Sequence, residues 1–461
     1  MKQKFSLIIN LLIFGVFSSY AQEYFAQSSI LDNYVQEGIA NNLALSKEEL
    51  SVKQRMLAIK EAKGMFLPNV SFNADYTLAG GGRTIQFPIG DLLNPIYDRL
   101  NQLSGSSDFS SNLPNEEVQF LPNNFHDTRF RVVQPIINPD LYHNLNTKRA
   151  ELAMQEAGRD AFKNQLVEEI RVAYFNYLQT EEMVNIYEKT EEVLQEVLRV
   201  NQKLVENQKA TKDVVYRSEF ELSQLEQQQA QALRNKEAAR NYFNFLLNRP
   251  LSEPITVDEN LKENAFMDTL PADLGEIALQ NRKELRQLTH ALSANHEAIQ
   301  LYRHSRLPRL SAILDAGYQG FEYKFNDDQD YWMGAISLQW DLFKGFQNQA
   351  RVQQLSVQED IIQKNYTELE KQIQLEVTDN LNQLTASERS VQAARKGVQS
   401  AYQNFDIIQK KYRQQQATLL ELLDARNTFT TSQINATIAH YDYLKKIAML
   451  ESSMGGDVSF K

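Results

Sequence analysis

Three closely spaced histidines, His290, His296 and His304, are the first residues that invite a chemical reading. If they share one helix, His290 and His304 are about 21 Å apart at 1.5 Å per residue, and the others point from different faces, so they do not share a metal. His296-Glu297 opens like the two-histidine helix of a zinc protease, but Gln300 stands where the second histidine must close it. The chain has no cysteine, which removes thiolate metal sites, disulfides, catalytic thiols and a lipid-anchoring cysteine together. Neither a serine nucleophile elbow nor a phosphate-binding glycine loop occurs. The expectation is a protein with no catalytic residues, no metal and no cofactor. With 48 basic against 59 acidic side chains and a net charge of −11, it is no nucleic-acid binder on electrostatic grounds.

The N-terminus reads as an export signal. Lys2 and Lys4 precede an apolar run from Phe5 to Phe17, and Ser19-Tyr20-Ala21 supplies a small-x-small cleavage site, so residues 1–21 are expected to be removed. The rival reading is a buried N-terminal helix. No later stretch approaches the roughly 18 to 20 apolar residues that a membrane helix needs. The mature chain is therefore soluble beyond the inner membrane, or it enters a membrane as β-strands, whose signal per segment is weak.

The chain uses one unit twice. Leu67-Pro68-Asn69-Val70-Ser71 recurs as Leu307-Pro308-Arg309-Leu310-Ser311, and the stretch from Gln208 to Val215 is echoed from Gln415 to Leu423 with one residue inserted. The first copy is placed at 22–250, a linker at 251–270 and the second copy with its tail at 271–461. Each copy reads as helix, strand, loop, strand, very long helix, turn and helix, with helical hairpins over 140–247 and 346–450. The first long helix has an apolar seven-residue series, Ile170, Tyr177, Val184, Leu198 and Val205, flanked by Ala173, Tyr187 and Leu194, with Glu191 interrupting. Between 79 and 126 the first copy carries a turn-rich insertion absent from the second.

The strands carry more information than the helices, which alone would suit any coiled coil. Val70, Phe72, Ala74, Tyr76 and Leu78 alternate with Ser71, Asn73, Asp75 and Thr77. Leu310, Ala312, Leu314, Ala316 and Tyr318 alternate likewise with Ser311, Asp315, Gly317 and Gln319, Ile313 being the exception. Return strands follow, giving four in all near 69–78, 127–135, 309–319 and 331–341. Ten residues suffice to cross a bilayer when tilted, although an amphipathic sheet on a soluble core would look similar. A helix of about 70 residues is about 105 Å long, and the two 35-residue helices beside it match that length end to end. One consistent arrangement has strands at one end, helix turns about 100 Å away and the copy junction halfway. Four strands cannot close a barrel, and open edges are forbidden in lipid, so strands in a membrane require several chains to share one barrel.

With those features in view, the chain resembles the TolC-like outer-membrane factor family over essentially its whole mature length. The carrying features are the duplicated order, the Leu-Pro before each first strand, and Tyr412 followed by Glu421-Leu422-Leu423-Asp424-Ala425-Arg426. The resemblance implies a mainly α fold with a β-barrel contribution: a homotrimer with a twelve-stranded outer-membrane barrel in lipid and a twelve-helix tunnel across the periplasm. It further implies a passive export conduit of a tripartite efflux or type I secretion system. Its partners would be a periplasmic adaptor and an inner-membrane pump of RND or ABC type. Glu421 and Asp424, at i and i+3 on one helix face, fall where the family places acidic rings at the periplasmic mouth. The other reading of these two is a helix start that favours acids through its dipole. Tyr412 and Asp213 match a latch between neighbouring chains, although Ala417 stands where the family has an accompanying arginine. Asn207, Ala210, Thr211, Gln415, Ala417 and Thr418 form the helix-turn tips, with Asn207 and Gln415 where a glycine is usual, so the second tip is expected to differ in shape.

Two rival functions remain at this stage. A secreted structural coiled-coil protein would explain the helices but not the alternating strands. A periplasmic adaptor would also carry a helical hairpin, but it would need a glycine-turn-rich lipoyl-like β-domain that the sequence lacks.

Overall fold

The computed structural model describes residues 29–262 and 273–456. The expected signal segment 1–21 and part of the linker 251–270 therefore lie outside the described residues. Contacts divide the described residues into two compact units, one drawn from 29–57, 149–295 and 357–456 and the other from 58–148 and 296–356. This division cuts across the two sequence copies, because each copy contributes helices to one unit and strands to the other.

The elements are α1 (Ser29–Asn41), α2 (Leu43–Gly64), β1 (Asn69–Thr77), β2 (Thr84–Phe87), α3 (Ile89–Ser104), β3 (Glu116–Gln119) and β4 (Phe125–Ile137). Then follow α4 (Pro139–Glu206), α5 (Asp213–Leu246), α6 (Leu274–Asn281), α7 (Lys283–His304), β5 (Arg309–Phe321), β6 (Asp330–Gln339), α8 (Gln347–Arg413) and α9 (Leu419–Ser453). At 68 and 67 residues, α4 and α8 are each about 100 Å long.

Two features refine the sequence reading. The helix expected before each first strand is broken at Asn42 in one copy and at Arg282 in the other. Asn42 ends α1 and caps α2, its Oδ1 accepting from the Ala44 and Leu45 amides at 2.9 and 3.0 Å, while its Nδ2 donates to the Leu246 carbonyl at 2.8 Å. Arg282, in extended conformation, donates to Glu284 and Glu376 at 3.1 Å each. The 79–126 insertion is also more than a turn-rich loop. It holds a two-stranded antiparallel sheet, β2 with β3, around the helix α3, so the described residues hold six strands where the sequence suggested four.

In the helical unit the largest buried side chains are aromatic. Tyr34 meets Phe243 edge-on at 5.1 Å and Tyr174 at 5.7 Å, and Tyr441, Phe175, Leu166 and Ile170 are fully enclosed. The buried tyrosines also tie down the linker after α5. The Tyr174 hydroxyl donates to the Thr256 carbonyl at 2.9 Å, and the Tyr34 hydroxyl accepts from the Thr256 amide at 2.8 Å. Ile170, Tyr177 and Val184 are buried as their series requires, but farther along Thr190, Leu194, Val197 and Asn201 take the packed positions in place of Leu198 and Val205. A seven-residue series turns about 20° per repeat around a straight helix, so after four repeats it has left the seam.

The second unit contains a four-stranded antiparallel sheet in the order β1-β4-β5-β6. Its register sets Phe72 opposite Phe130, Phe130 opposite Ala316, and Ala316 opposite Trp332. One face therefore carries Val70, Phe72, Tyr76, Phe130, Leu314, Trp332, Ile336 and Leu338. These side chains are bare: Trp332 is 78% exposed, Ile336 75% and Val70 64%. The opposite face carries Ser71, Asn73, Asp75, Asp127, Arg129, Arg131, Asp315 and Tyr331. There Arg131 grips Asp315 with two bonds of 2.8 and 2.7 Å, and the Tyr331 hydroxyl donates to Asp127 at 3.0 Å. A sheet folded onto a soluble core shows the reverse pattern, with its apolar face covered.

Candidate functional site at the helical turns

Both long helices end in the same backbone device. In the first, the Gln208 amide reaches the Val205 carbonyl at 3.0 Å and the Lys209 amide reaches Leu204 at 2.8 Å. In the second, the Gln415 amide reaches Tyr412 at 2.9 Å and the Gln416 amide reaches Lys411 at 2.8 Å. Each is a Schellman closure around a left-handed residue. That residue is Gln208 at φ +55° and Gln415 at φ +60°. Asn207 is thus not the left-handed position; it folds its side-chain amide back onto the Lys203 carbonyl at 2.7 Å. The two tips end alike, contrary to the expected difference in shape, because the residue equivalent to Gln415 is another glutamine.

The outgoing helices start differently. Thr418 caps α9 in a reciprocal box: the Glu421 amide donates to the Thr418 hydroxyl oxygen at 3.3 Å, and the Thr418 amide donates to the Glu421 carboxylate at 2.7 Å. The backbone bond from Thr418, then its hydroxyl, holds the Glu421 carboxyl below the usual range. At the start of α5, by contrast, Lys212 offers no side-chain cap, and the Thr211 hydroxyl bonds to Asp213. Ala210 and Ala417 are half-buried beside these turns. Glu421 and Asp424 are both exposed, while Leu422, Leu423, Ala425 and Arg426 are buried, so the two acids share the open face of α9.

Tyr412 and Asp213 are not brought together within one chain. The Tyr412 hydroxyl bonds instead to Asn201 of α4, whose Nδ2 donates to the Ser218 hydroxyl of α5 at 2.8 Å. Burial raises the Tyr412 phenol and the bond to Asn201 opposes that rise. A second clasp joins α9 to α5, where Arg426, 6% exposed, donates to Glu221, 5% exposed, at 3.1 Å. Arg217 takes the other Glu221 oxygen at 2.7 Å. The Thr190 and Thr430 hydroxyls meet at 3.3 Å. Between these polar links lie two small apolar clusters, Val197, Phe405, Leu422 and Ala425, and Leu194, Leu225 and Leu423. Sequence reasoning missed Asn201, Ser218 and Glu221. The only signal for them was polar side chains on the displaced seam.

His304 also has a partner that a single-helix reading could not reveal. Its Nδ1 lies 2.7 Å from Nε2 of His143, whose Nδ1 meets Glu297 at 2.8 Å. No group of three or more ligands suited to a metal occurs among the described residues, and no described helix is long and apolar enough to cross a membrane.

Comparison with known proteins assigns this architecture. Residues 274–456 match the family model of the outer membrane efflux proteins. The outer membrane protein TolC of Escherichia coli is 22% identical across 99% of this chain and 87% of its own length. Over residues 274–456 the chain carries the outer membrane efflux protein pattern, and along its length it is similar to the TolC-like outer membrane efflux proteins. As a TolC-like protein it is a bacterial outer-membrane channel protein that reaches into the periplasm. The solvent efflux pump outer membrane protein SrpC of Pseudomonas putida is 23% identical over 71% of this chain and 68% of its own. Among solved structures, the Neisseria gonorrhoeae MtrE outer membrane channel superposes with a TM-score of 0.75 at 18% identity, covering 94% of this chain and 90% of MtrE.

Proposed function

We propose that three copies of this TolC-like chain share one twelve-stranded barrel and one helical tunnel, forming a passive export conduit rather than a catalyst. The observation that carries this reading is the sheet, which is bare and apolar on one face, polar on the other, and open at β1 and β6. Each unpaired backbone group left in hydrocarbon costs several kcal/mol, so both edges need strands from neighbouring copies. Closing the ring places Asp75, Arg129, Arg131 and Asp315 toward the lumen and Trp332, Ile336 and Phe72 toward lipid.

At the periplasmic mouth, three copies of Glu421 and Asp424 form a cation-favouring constriction. Tyr412 and Asp213 latch neighbouring chains there in the closed state. A periplasmic adaptor engages these tips and couples the conduit to an inner-membrane pump of RND or ABC type. The test is the mass of the detergent-solubilised protein from the outer-membrane fraction. Three chains are expected. A monomer, or recovery as free periplasmic protein, overturns the reading.

A further inference from the structure

The helix α3 inside the 79–126 insertion is amphipathic in an unusual sense, because its polar face is the one packed against its own chain. Asn94 exchanges two hydrogen bonds with the Leu113 backbone, at 3.0 and 2.8 Å. About two turns farther on, Asn101 does the same with Phe109, at 2.7 and 3.1 Å. Tyr97 lies against the Phe109 ring at 5.6 Å. Gly90 completes the face, since a Cβ there would sit 2.2 Å from the Leu113 carbonyl oxygen. At the start of the helix, Asn115 binds both the Asp91 amide and the Asp91 carboxylate at 3.0 Å. These clamps and the Tyr97 ring fix α3 on the returning segment without using Leu92, Ile96, Leu100 or Leu103, which stay exposed.

The apolar residues are left on the other side. Leu92 is 64% exposed, Ile96 53%, Leu100 39% and Leu103 85%. With the half-buried Leu93, the series Leu93, Ile96, Leu100 and Leu103 steps by three, four and three, the narrow seam of a helix that packs on another helix. A helix that rests on lipid carries aromatic side chains on its apolar face and Lys or Arg on its polar face. This stripe has no aromatic residue, unlike the sheet face with Trp332, Phe72 and Phe130, and the helix sets one Arg99 against Asp91 and Asp98. The insertion also springs from β1, the open strand at which a neighbouring copy must join the sheet.

We infer that the bare seam of α3 packs against the α3 helices of the other copies of this chain. A 16-residue helix pair is marginal in water by itself. Three such helices held on one barrel meet at the high effective concentration that tethering provides. The cluster covers the end of the barrel at which β1 connects to β4. This inference rests on the shared barrel proposed above.

The chain has no cysteine, so single replacements report contacts without background. Leu103→Cys in the intact protein should oxidise to an SDS-stable dimer, linking no more than two of every three chains. Gln102→Cys, on the adjacent but polar side, should give at least tenfold less. Equal crosslinking of the two variants, or none from Leu103→Cys while the sample still weighs three chains, overturns the α3 contact alone. A sample that weighs one chain overturns the barrel and this contact together. A fluorophore on Leu103→Cys that is quenched by brominated lipid shows that lipid covers the seam and also refutes the contact.

Discussion

Replacing Arg426 by methionine removes the guanidinium that joins α9 to α5 while keeping an unbranched apolar stem in its place. Glu221 is then left 5% exposed with only Arg217, on its own helix, still bonded at 2.7 Å. Removing one member of a buried ion pair costs about 3–5 kcal/mol. Arg217 compensates part of the stranded charge, which brings the expected loss to about 2–3 kcal/mol. The loss is local, because the clasp holds the first two turns of α9 and not the aromatic core around Tyr174. At 1.4 kcal/mol per factor of ten, amide protection over 419–430 should fall roughly 30- to 140-fold, while protection around 166–178 stays. The double variant Glu221→Met with Arg426→Met removes both charges and should recover to within about 1 kcal/mol of the native protein. Hydrogen exchange read by mass spectrometry on the detergent-solubilised protein resolves these segments. Equal loss in the single and double variants would show that packing volume, and not the uncompensated carboxylate, carries the clasp.

Three further outcomes follow from the same structure. Glu421→Gln with Asp424→Asn should lower cation selectivity and weaken block by multivalent cations from the periplasmic side. Helicity should persist because glutamine still serves the capping box, and unchanged selectivity would reduce the two acids to helix-start residues. Glu451 is buried, and that burial pushes its carboxyl up to about 7 against the opposing pull of Arg171. A raised carboxyl stabilises the fold fully below its unfolded value near 4.5 and loses that contribution as pH rises through 7. Resistance to denaturant should therefore decline across that window by on the order of 3 kcal/mol, and Glu451→Gln should flatten the slope; an unaltered slope assigns it to other groups. Removing residues 79–124 should leave trimer assembly intact while changing antibody or phage access, since β1 and β4 already meet at Thr77 and Phe125, and loss of the trimer would make the insertion part of the core.

The alternation of Val70, Phe72, Ala74 and Tyr76 was enough to place a strand, because a two-residue period has one structural meaning when both faces differ. The same alternation could not say whether the apolar face meets lipid or a soluble core. That needed the exposure of Trp332 and Ile336. The helices were legible as long helices, but the seam near the turns was not, since a seven-residue series drifts around a straight helix and Asn201 takes a place expected of Leu198 or Val205. The clasp from Arg426 to Glu221 joins residues far apart in the chain, and nothing local marks either as a partner of the other. The interruption at Asn42 was hidden for a different reason. An asparagine within a helical pattern is only mildly unfavourable, and its capping role depends on the Leu246 carbonyl brought in by another helix. In the insertion, asparagine suits turns as well as helix clamps, so nothing local marks Asn94, Asn101 and Asn115 as the residues that hold a helix.

The central claim, that this chain builds a conduit, is tested most directly by reconstituting the purified protein into planar bilayers and recording single-channel current. Discrete conductance steps that favour cations are expected, rising when Arg426→Met loosens the tip. Bilayers that stay silent after insertion of the protein has been verified would contradict it.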